Sequence, residues 1–352
     1  MKNLHIVNSD KFVLPYIKFI NKYFDKDEHI FLVVQKNIND EFEVKYSNVN
    51  YVLDKTINFK MVRKMYQSKN IYLHGLFNGK IVTMLFLNPI LLKKCNWIIW
   101  GGDLYRYQSP IRTFKGKVYE FMRKVVIRHM GRVLPLVKGD YELAERWYGI
   151  KGKCKVTKYI NMERNNYIYS LLQKRQNEHK TINVQIGNSA SNRNNHIEVF
   201  EILKKFKKEN IKIYCPLSYG DKENAEKVKK VGKRIFGDKF VPMESFLEIK
   251  EYLDHMYSID IGIFNNDRQQ GFGNVNELLF LKKKVFINNT NTLWDYYKSL
   301  GIEINAVKEI KNLSFDKFCE VTKQIREKNH NIIKHRFSND KTKYIWDEIF
   351  KN

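Results

Sequence analysis

The chain of 352 residues is long for one domain and comfortable for two. With 43% hydrophobic and 14% aromatic residues it has material for real cores, which excludes wholesale disorder. Its 63 lysines and arginines against 38 aspartates and glutamates give a formal charge of +25, favouring a polyanionic partner: nucleic acid, an anionic membrane face or a phosphorylated ligand.

Taken in chain order, short apolar β-rich runs alternate with helix-period segments. "LHIVN" (4–8) precedes a helix near 12–24, and "IFLVVQ" (30–35) reads as a buried strand. "IYLHG" (71–75) leads to an apolar helix near 79–92, and "CNWIIW" (95–100) to a loop and a helix near 111–130. "RVLPLV" (132–137) and a helix near 140–148 complete the first run. After a polar stretch around 161–181 the pattern restarts. "INVQIG" (182–187) precedes a helix near 194–208, and "IKIYC" (211–215) one near 222–235. "SIDIGIF" (258–264) runs through a glycine-bearing loop into a helix near 275–282, followed by "KVFIN" (284–288). Strand–helix alternation argues for βαβ units and parallel sheets. The expectation is α/β, with two Rossmann-like domains over 1–160 and 161–335 and a final helix over 336–352 that packs back on the first.

No CxxC pair or zinc-spaced Cys/His cluster joins Cys95, Cys154, Cys215 and Cys319, so reduced thiols suited to cytoplasm are expected. The apolar segment Leu4 to Val7 is short for a signal peptide. The window 81–92 is short for a span and contains Pro89, so a soluble or peripheral protein is expected. "DKD" (25–27) outlines a metal-binding DxD but falls in a charged turn and reads as surface.

Ligand sites in open α/β domains lie at the carboxyl ends of strands, which directs attention to four loops. In "IGNSASNRNNHIE" (186–198), Gly187 allows close backbone approach, while Asn188, Ser189 and the helix start offer donors to a diphosphate. Arg193 adds charge and His196 lies in the first turn; the plain alternative is an Asn-capped βα loop. In "FNNDRQQGFGNVNELL" (264–279), Arg268 could neutralise a diphosphate and Gly271 and Gly273 could face sugar and phosphate. Glu277 could accept ribose hydroxyls, or be a solvated helix residue. In "YLHGLFNGK" (72–80), His74 could act as a base or hydroxyl donor, with Asn78 nearby, or be a structural hydrogen bonder. In "NWIIWGGDLYRYQ" (96–108), Trp100, Tyr105 and Tyr107 offer flat faces to a sugar ring, and Gly101 and Gly102 make room. Asp103 could take the proton of an attacking hydroxyl or orient it. A fifth segment, 114–133, sets Val118, Phe121, Met122, Val125 and Val126 at helical spacing among Lys115, Lys117, Arg123, Lys124, Arg128 and Arg132. That pattern fits an anionic membrane surface, or a core helix with a solvated basic face.

Together "HGLFN" (74–78), "WGGDLY" (100–105), "IGNSASNRNNHIE" (186–198), "PLSYG" (216–220) and "RQQGFG" (268–273) resemble the bacterial N-acetylfucosaminyltransferase family, the 4-alpha-L-fucosyltransferase or Fuc4NAc transferase family. The blocks fall in that family's order over residues 70 to 300. The resemblance implies a GT-B fold, two Rossmann-like domains facing across a cleft. It implies a dTDP-linked 4-acetamido-4,6-dideoxygalactose donor and a lipid-diphosphate-linked saccharide acceptor in surface polysaccharide assembly. The enzyme would be peripheral on the cytoplasmic face of the bacterial plasma membrane. The expected roles are Asp103 and His74 in catalysis, and Asn78, Trp100, Gly101, Gly102 and Tyr105 on acceptor. Gly187, Asn188, Ser189, Arg193, His196, Tyr219, Arg268, Gln269, Gln270, Gly271, Gly273, Asn274 and Glu277 would hold donor. No metal or other cofactor is expected. Gln269 stands where other GT-B enzymes carry the first of two paired glutamates, Glu277 matching the second. Two alternatives are a GT-B transferase with a UDP- or GDP-sugar, and a non-catalytic basic nucleic-acid-binding protein.

Overall fold

The computed structural model describes residues 2–10, 12–35, 46–54, 59–174 and 180–351. The chain divides into two compact units, residues 1–162 with 339–352, and residues 163–338.

The first unit contains β1 (Asn3–Asn8), α1 (Val13–Tyr23), β2 (His29–Gln35), β3 (Val49–Leu53), α2 (Phe59–Gln67), β4 (Asn70–His74), α3 (Gly79–Leu87), β5 (Cys95–Ile98), α4 (Phe114–His129), β6 (Arg132–Leu134), α5 (Lys138–Tyr148) and β7 (Lys153–Cys154). Its sheet runs β3-β2-β1-β4-β5-β6-β7, every pair parallel. Such a sheet needs cover on both faces. One face packs Ile6, Leu73, Trp97 and Val133 against α3 to α5 residues such as Val82, Val126 and Ala144. The other packs Phe31, Tyr72 and Ile98 against Tyr16, Phe19 and Ile20 of α1. Trp346, Ile349 and Phe350 of the last helix join that second layer.

The second unit contains α6 (Met162–Gln173), β8 (Ile182–Ile186), α7 (His196–Leu203), β9 (Ile211–Pro216), α8 (Lys222–Phe236), β10 (Phe240–Met243), α9 (Ile249–Ser258), β11 (Ile261–Phe264), α10 (Phe272–Phe280), β12 (Lys284–Ile287), α11 (Thr292–Ser299), β13 (Asn305–Ala306), α12 (Phe315–Cys319) and α13 (Lys323–Arg336), after which α14 (Asn339–Lys351) returns to the first unit. Its parallel sheet runs β10-β9-β8-β11-β12-β13. Val184, Ile186, Ile213 and Phe286 meet Val199, Phe200 and Leu203 of α7 in its core.

Several elements differ from the sequence reading. The helix expected over 79–92 ends at Leu87, and a 3₁₀ turn runs from Pro89 to Lys94, because Pro89 has no N–H to continue the ladder. The polar stretch at 161–181 holds α6. β10 contains Pro242, which an edge strand tolerates and an interior strand does not. Cys95 and Cys215 are buried and Cys154 exposed, and all four thiols are free. Asp25 accepts from the Asp27 amide at a surface turn.

Candidate functional site

In the first unit the loops after β4 and β5 are tied together by Asp103. Its side chain is buried, and both oxygens are occupied by N–H donors. One accepts from Leu76 N at 3.0 Å and Trp97 Nε1 at 2.7 Å, the other from Trp100 N and Leu104 N, each at 3.0 Å. Its carbonyl accepts from the buried Arg123 guanidinium, which also donates to Glu120 and Tyr148. A carboxylate saturated by four N–H groups and closed off from solvent does not take a proton from a substrate hydroxyl. The base role read for Asp103 is therefore corrected to loop positioning. Arg123, read with the solvated charges of its helix, is likewise interior.

His74 is equally enclosed. Its Nδ1 meets Tyr159 Oη, its Nε2 lies 3.2 Å from His5 Nδ1, and burial holds the imidazole down at about 3. A substrate cannot reach it directly. Trp100, partly exposed, donates from Nε1 to Tyr159 Oη at 2.9 Å and stands between the half-exposed rings of Phe12 and Phe77, centroids 6.1 and 6.2 Å away. This aromatic edge is the sugar-compatible surface of the unit. Gly101, with φ +85°, turns the chain below it, and Gly102 follows at a partly exposed position. Asn78 and Tyr105 do not join it. Asn78 caps α3 through Lys80 N and Ile81 N and donates to Asp54. Tyr105 is buried edge-on to Trp147. The sequence reading missed Phe12 and Tyr159, which lie outside every quoted block.

In the second unit the loop after β8 is organised by Asn194, buried completely. Its Oδ1 accepts from Asn188 N at 3.0 Å and Asn266 Nδ2 at 2.9 Å; its Nδ2 donates to Ser189 Oγ at 3.2 Å and Ser191 O at 3.3 Å. Gln270 Nε2 reaches Ser189 Oγ at 3.1 Å, and Asn188 Nδ2 reaches Tyr219 Oη at 3.2 Å, so the loops after β8, β9 and β11 share one network. Gly187 has φ +70°, and a Cβ there would lie 2.7 Å from both Asn194 Oδ1 and His196 Nε2. The space that this glycine leaves is filled by those side chains rather than left for a phosphate.

Around this network two helices open without a side-chain cap: α7, after Asn195, and α10, after Gly271. α8, α11, α12 and α13 are capped by Asp221, Asn291, Ser314 and Thr322, and α9 by a Glu248–Glu251 capping box. First-turn amides without a protein cap suit an anion. His196, first residue of α7, is buried with neither ring nitrogen hydrogen-bonded, and burial lowers it to about 4. Arg193 pairs with Asp267 at 3.5 Å, and Arg268 Nε donates to Gln270 Oε1 at 3.4 Å, while Gln269 is buried. Within α10, Gly273 is exposed and Asn274 Nδ2 donates to Tyr252 Oη at 2.8 Å. One Glu277 oxygen pairs with the Arg164 guanidinium, and Oε2 is buried without a partner. Glu277 is thus neither solvated nor free. Arg164, which pairs with it and holds it in place, was not legible from the loop.

On α4, Phe114, Val118 and Phe121 are exposed alongside Lys115, Lys117, Lys124 and Arg128. Leu87 and Ile90 project from the neighbouring segment, where Phe86 meets Phe121 at 6.3 Å. The acidic residues over 79–130 are Asp103, which is buried, and Glu120, which pairs with Arg106 and Arg123. No helix among the described residues is long and apolar enough to cross a membrane.

Among solved structures, the chain is similar to Anabaena HepE in complex with UDP and glucose, at 14% identity and a TM-score of 0.71, covering 100% of this chain and 99% of that one. It is similar to a glycosyltransferase from Rickettsia africae, at 13% identity and a TM-score of 0.69 over 99% and 97%. A trehalose 6-phosphate synthase from Burkholderia multivorans matches at 8% identity and a TM-score of 0.65 over 100% and 96%. The shared fold is GT-B, built from two Rossmann-like α/β units. The profile of the 4-alpha-L-fucosyltransferases matches residues 5–350, which decides against the non-catalytic alternative. A chain with this fold, matched almost end to end, belongs to the 4-alpha-L-fucosyltransferase family, glycosyl transferase group 56, and is a glycosyltransferase.

Proposed function

We propose that the second unit holds a nucleoside-diphosphate sugar and the first a lipid-diphosphate-linked saccharide at an anionic membrane face, for surface-polysaccharide synthesis. The observation that carries this reading is the pair of helices, α7 and α10, that open without side-chain caps onto one neutral network beside Arg193 and Arg268. Their first-turn amides and the two guanidiniums take the diphosphate, so the leaving group is stabilised without a metal. Asn188, Ser189, His196, Gln270, Gly271, Gly273 and Asn274 border that place. The buried, unpartnered Oε2 of Glu277 takes a ribose hydroxyl of the nucleotide. A dTDP-linked 4-acetamido-4,6-dideoxygalactose is the donor that the family resemblance favours. The UDP complex of HepE is compatible with nucleotide sugars as a class.

On the acceptor side, Phe12, Phe77 and Trp100 present the sugar-facing edge, held by Asp103 as a positioning residue. The α4 surface, apolar at Phe114, Val118 and Phe121 and basic around them, rests on the cytoplasmic leaflet and brings the lipid acceptor within reach.

A thermal-shift series with dTDP, UDP and GDP tests the donor site: a preference for dTDP is expected, and equal indifference to all three overturns the reading. Transfer from a labelled dTDP-sugar to a lipid-linked acceptor tests the reaction. Chelator in the same assay tests metal independence, with unchanged turnover expected.

A further inference from the structure

Three imidazoles cross one face of the first sheet as a hydrogen-bonded row. In the parallel register Asn3 pairs with His29, and Val7 with His74, while His5 lies between them on β1. Side chains two residues apart point to the same face, so the three rings step diagonally from the amino edge of the sheet to its carboxyl edge. His29 Nδ1 lies 3.0 Å from His5 Nε2, and His5 Nδ1 lies 3.2 Å from His74 Nε2. His74 Nδ1 meets Tyr159 Oη, which receives Trp100 Nε1 at 2.9 Å.

The donors and acceptors impose a direction. Because Trp100 donates to Tyr159, the single phenolic proton is used fully when it goes to His74 Nδ1. His74 then carries its proton on Nε2 for His5 Nδ1, and His5 on Nε2 for His29 Nδ1. Tyr16 Oη, 3.4 Å from His5 Nδ1, can donate to the same atom. His5 is enclosed between Phe31 and Tyr72, with ring centroids 4.6 and 4.9 Å away. Phe350 covers His29, and the charged groups facing that end are Lys2, Asp25 and Glu28. The row joins the aromatic edge around Trp100 to a charged surface on the opposite edge of the sheet. A hydrophobic core gains nothing from three aligned imidazoles that stacked phenyl rings would not supply.

We propose that this row is the proton outlet of the transfer reaction, with Tyr159 the catalytic residue that contacts the acceptor hydroxyl and His74, His5 and His29 the relay behind it. The inference rests on the acceptor side of the function proposed above. As the acceptor oxygen bonds to the sugar C1, the C1–O bond to the diphosphate breaks and its electron pair leaves with the nucleotide. The acceptor O–H proton passes to Tyr159 Oη, and the phenolic proton passes to His74 Nδ1. The His74 Nε2 proton passes to His5 Nδ1, and the His5 Nε2 proton to His29 Nδ1. One proton departs from His29 Nε2 to water, and every ring ends neutral.

The test has two arms. Nitrogen-15 histidine spectra of the wild-type chain report tautomers without any substrate. His5, His29 and His74 are expected to share the Nε2–H form, and Tyr159→Phe is expected to shift the ring nitrogens of all three. Mixed tautomers, or a shift confined to His74, overturn the row whether or not the enzyme is active. In the transfer assay His5→Phe, which keeps a ring between Phe31 and Tyr72, is expected to lower kcat about a hundredfold. Acceptor KM should stay unchanged, and the solvent deuterium isotope effect should be lost. His29→Phe should act in the same way. Unchanged kcat in both folded variants overturns the relay and leaves a structural row. A wild-type chain that transfers no sugar overturns the functional reading, and the catalytic role of the row with it.

Discussion

Each unit builds its carboxyl-edge loops around one buried polar residue, but the two residues differ in charge. Asp103 accepts four N–H groups and donates none. Asn194 accepts two hydrogen bonds and gives two, with neutral partners throughout. A carboxylate at the centre of a loop concentrates backbone and indole donors on itself, and its negative charge repels an approaching phosphate. An amide does the same organising work and leaves neighbouring helix amides and arginines available to an anion. The charge of the organiser thus separates an edge suited to a neutral sugar from an edge suited to a diphosphate.

The largest expected effect comes from removing the charged organiser. Asp103→Asn replaces an acceptor oxygen by an NH₂ that faces donors, and should cost about 3–5 kcal/mol of stability by denaturant titration. Transfer should fall in parallel with loss of the fold, since the side chain is buried and its oxygens are taken by protein donors. A stable but inactive variant would return Asp103 to the reacting atoms.

Acid comes next. Burial holds His29 at about 4 and His74 at about 3, while both titrate near 6.5 when unfolded. Below pH 6.5 the unfolded chain takes up protons that the folded chain refuses. Stability is therefore complete above that pH and declines as pH falls through 4 and 3. For His29 alone the loss by pH 4 is about 3 kcal/mol. The second unit carries His196 and His255, each lowered to about 4, and His330, also lowered by burial, so it loses stability over the same range. Hydrogen exchange should show protection falling in both units between pH 7 and 4, and a first unit unchanged over that range would contradict the burial of its histidines.

A third substitution tests the comparison from the other side. Asn194→Asp places a carboxylate at the edge proposed for the diphosphate and should weaken nucleoside-diphosphate binding at least tenfold, about 1.4 kcal/mol, by calorimetry. Affinity equal to wild type would detach the ligand from this loop. The smallest effect on folding belongs to Phe114→Ser with Phe121→Ser, both exposed, where stability should change by about 0.5 kcal/mol or less. Sedimentation with anionic vesicles should nevertheless fall sharply, and undiminished binding would remove α4 from the proposed membrane contact.

Much of the fold was legible because β1, β2, β4, β8 and β11 are dense apolar runs, and the four loops singled out do follow strands. Side-chain direction was not. Gly-Gly-Asp reads the same whether the acid faces solvent or turns inward to Trp97 and Leu76, whose donors come from other turns of the chain. Glu277 was visible, but its partner Arg164 lies on a helix that composition disguised as a polar linker. The histidine row needed the strand order, since β2, β1 and β4 become neighbours only in the folded sheet. α13 was passed over because its few apolar residues are interspersed with lysine, arginine and asparagine.

The return of α14 to the first unit bears on how the chain emerges from the ribosome. Trp346 donates to Lys158 O, and Trp346, Ile349 and Phe350 fill the layer begun by Tyr16 and Phe31. That layer stays open to water until residues 339–351 have been synthesised, whereas residues 163–338 already contain everything their own core requires. During translation the later-made unit can close first, and the earlier-made one must wait with an exposed aromatic face. A nascent chain arrested near residue 338 should therefore draw chaperones to its beginning, not to its end.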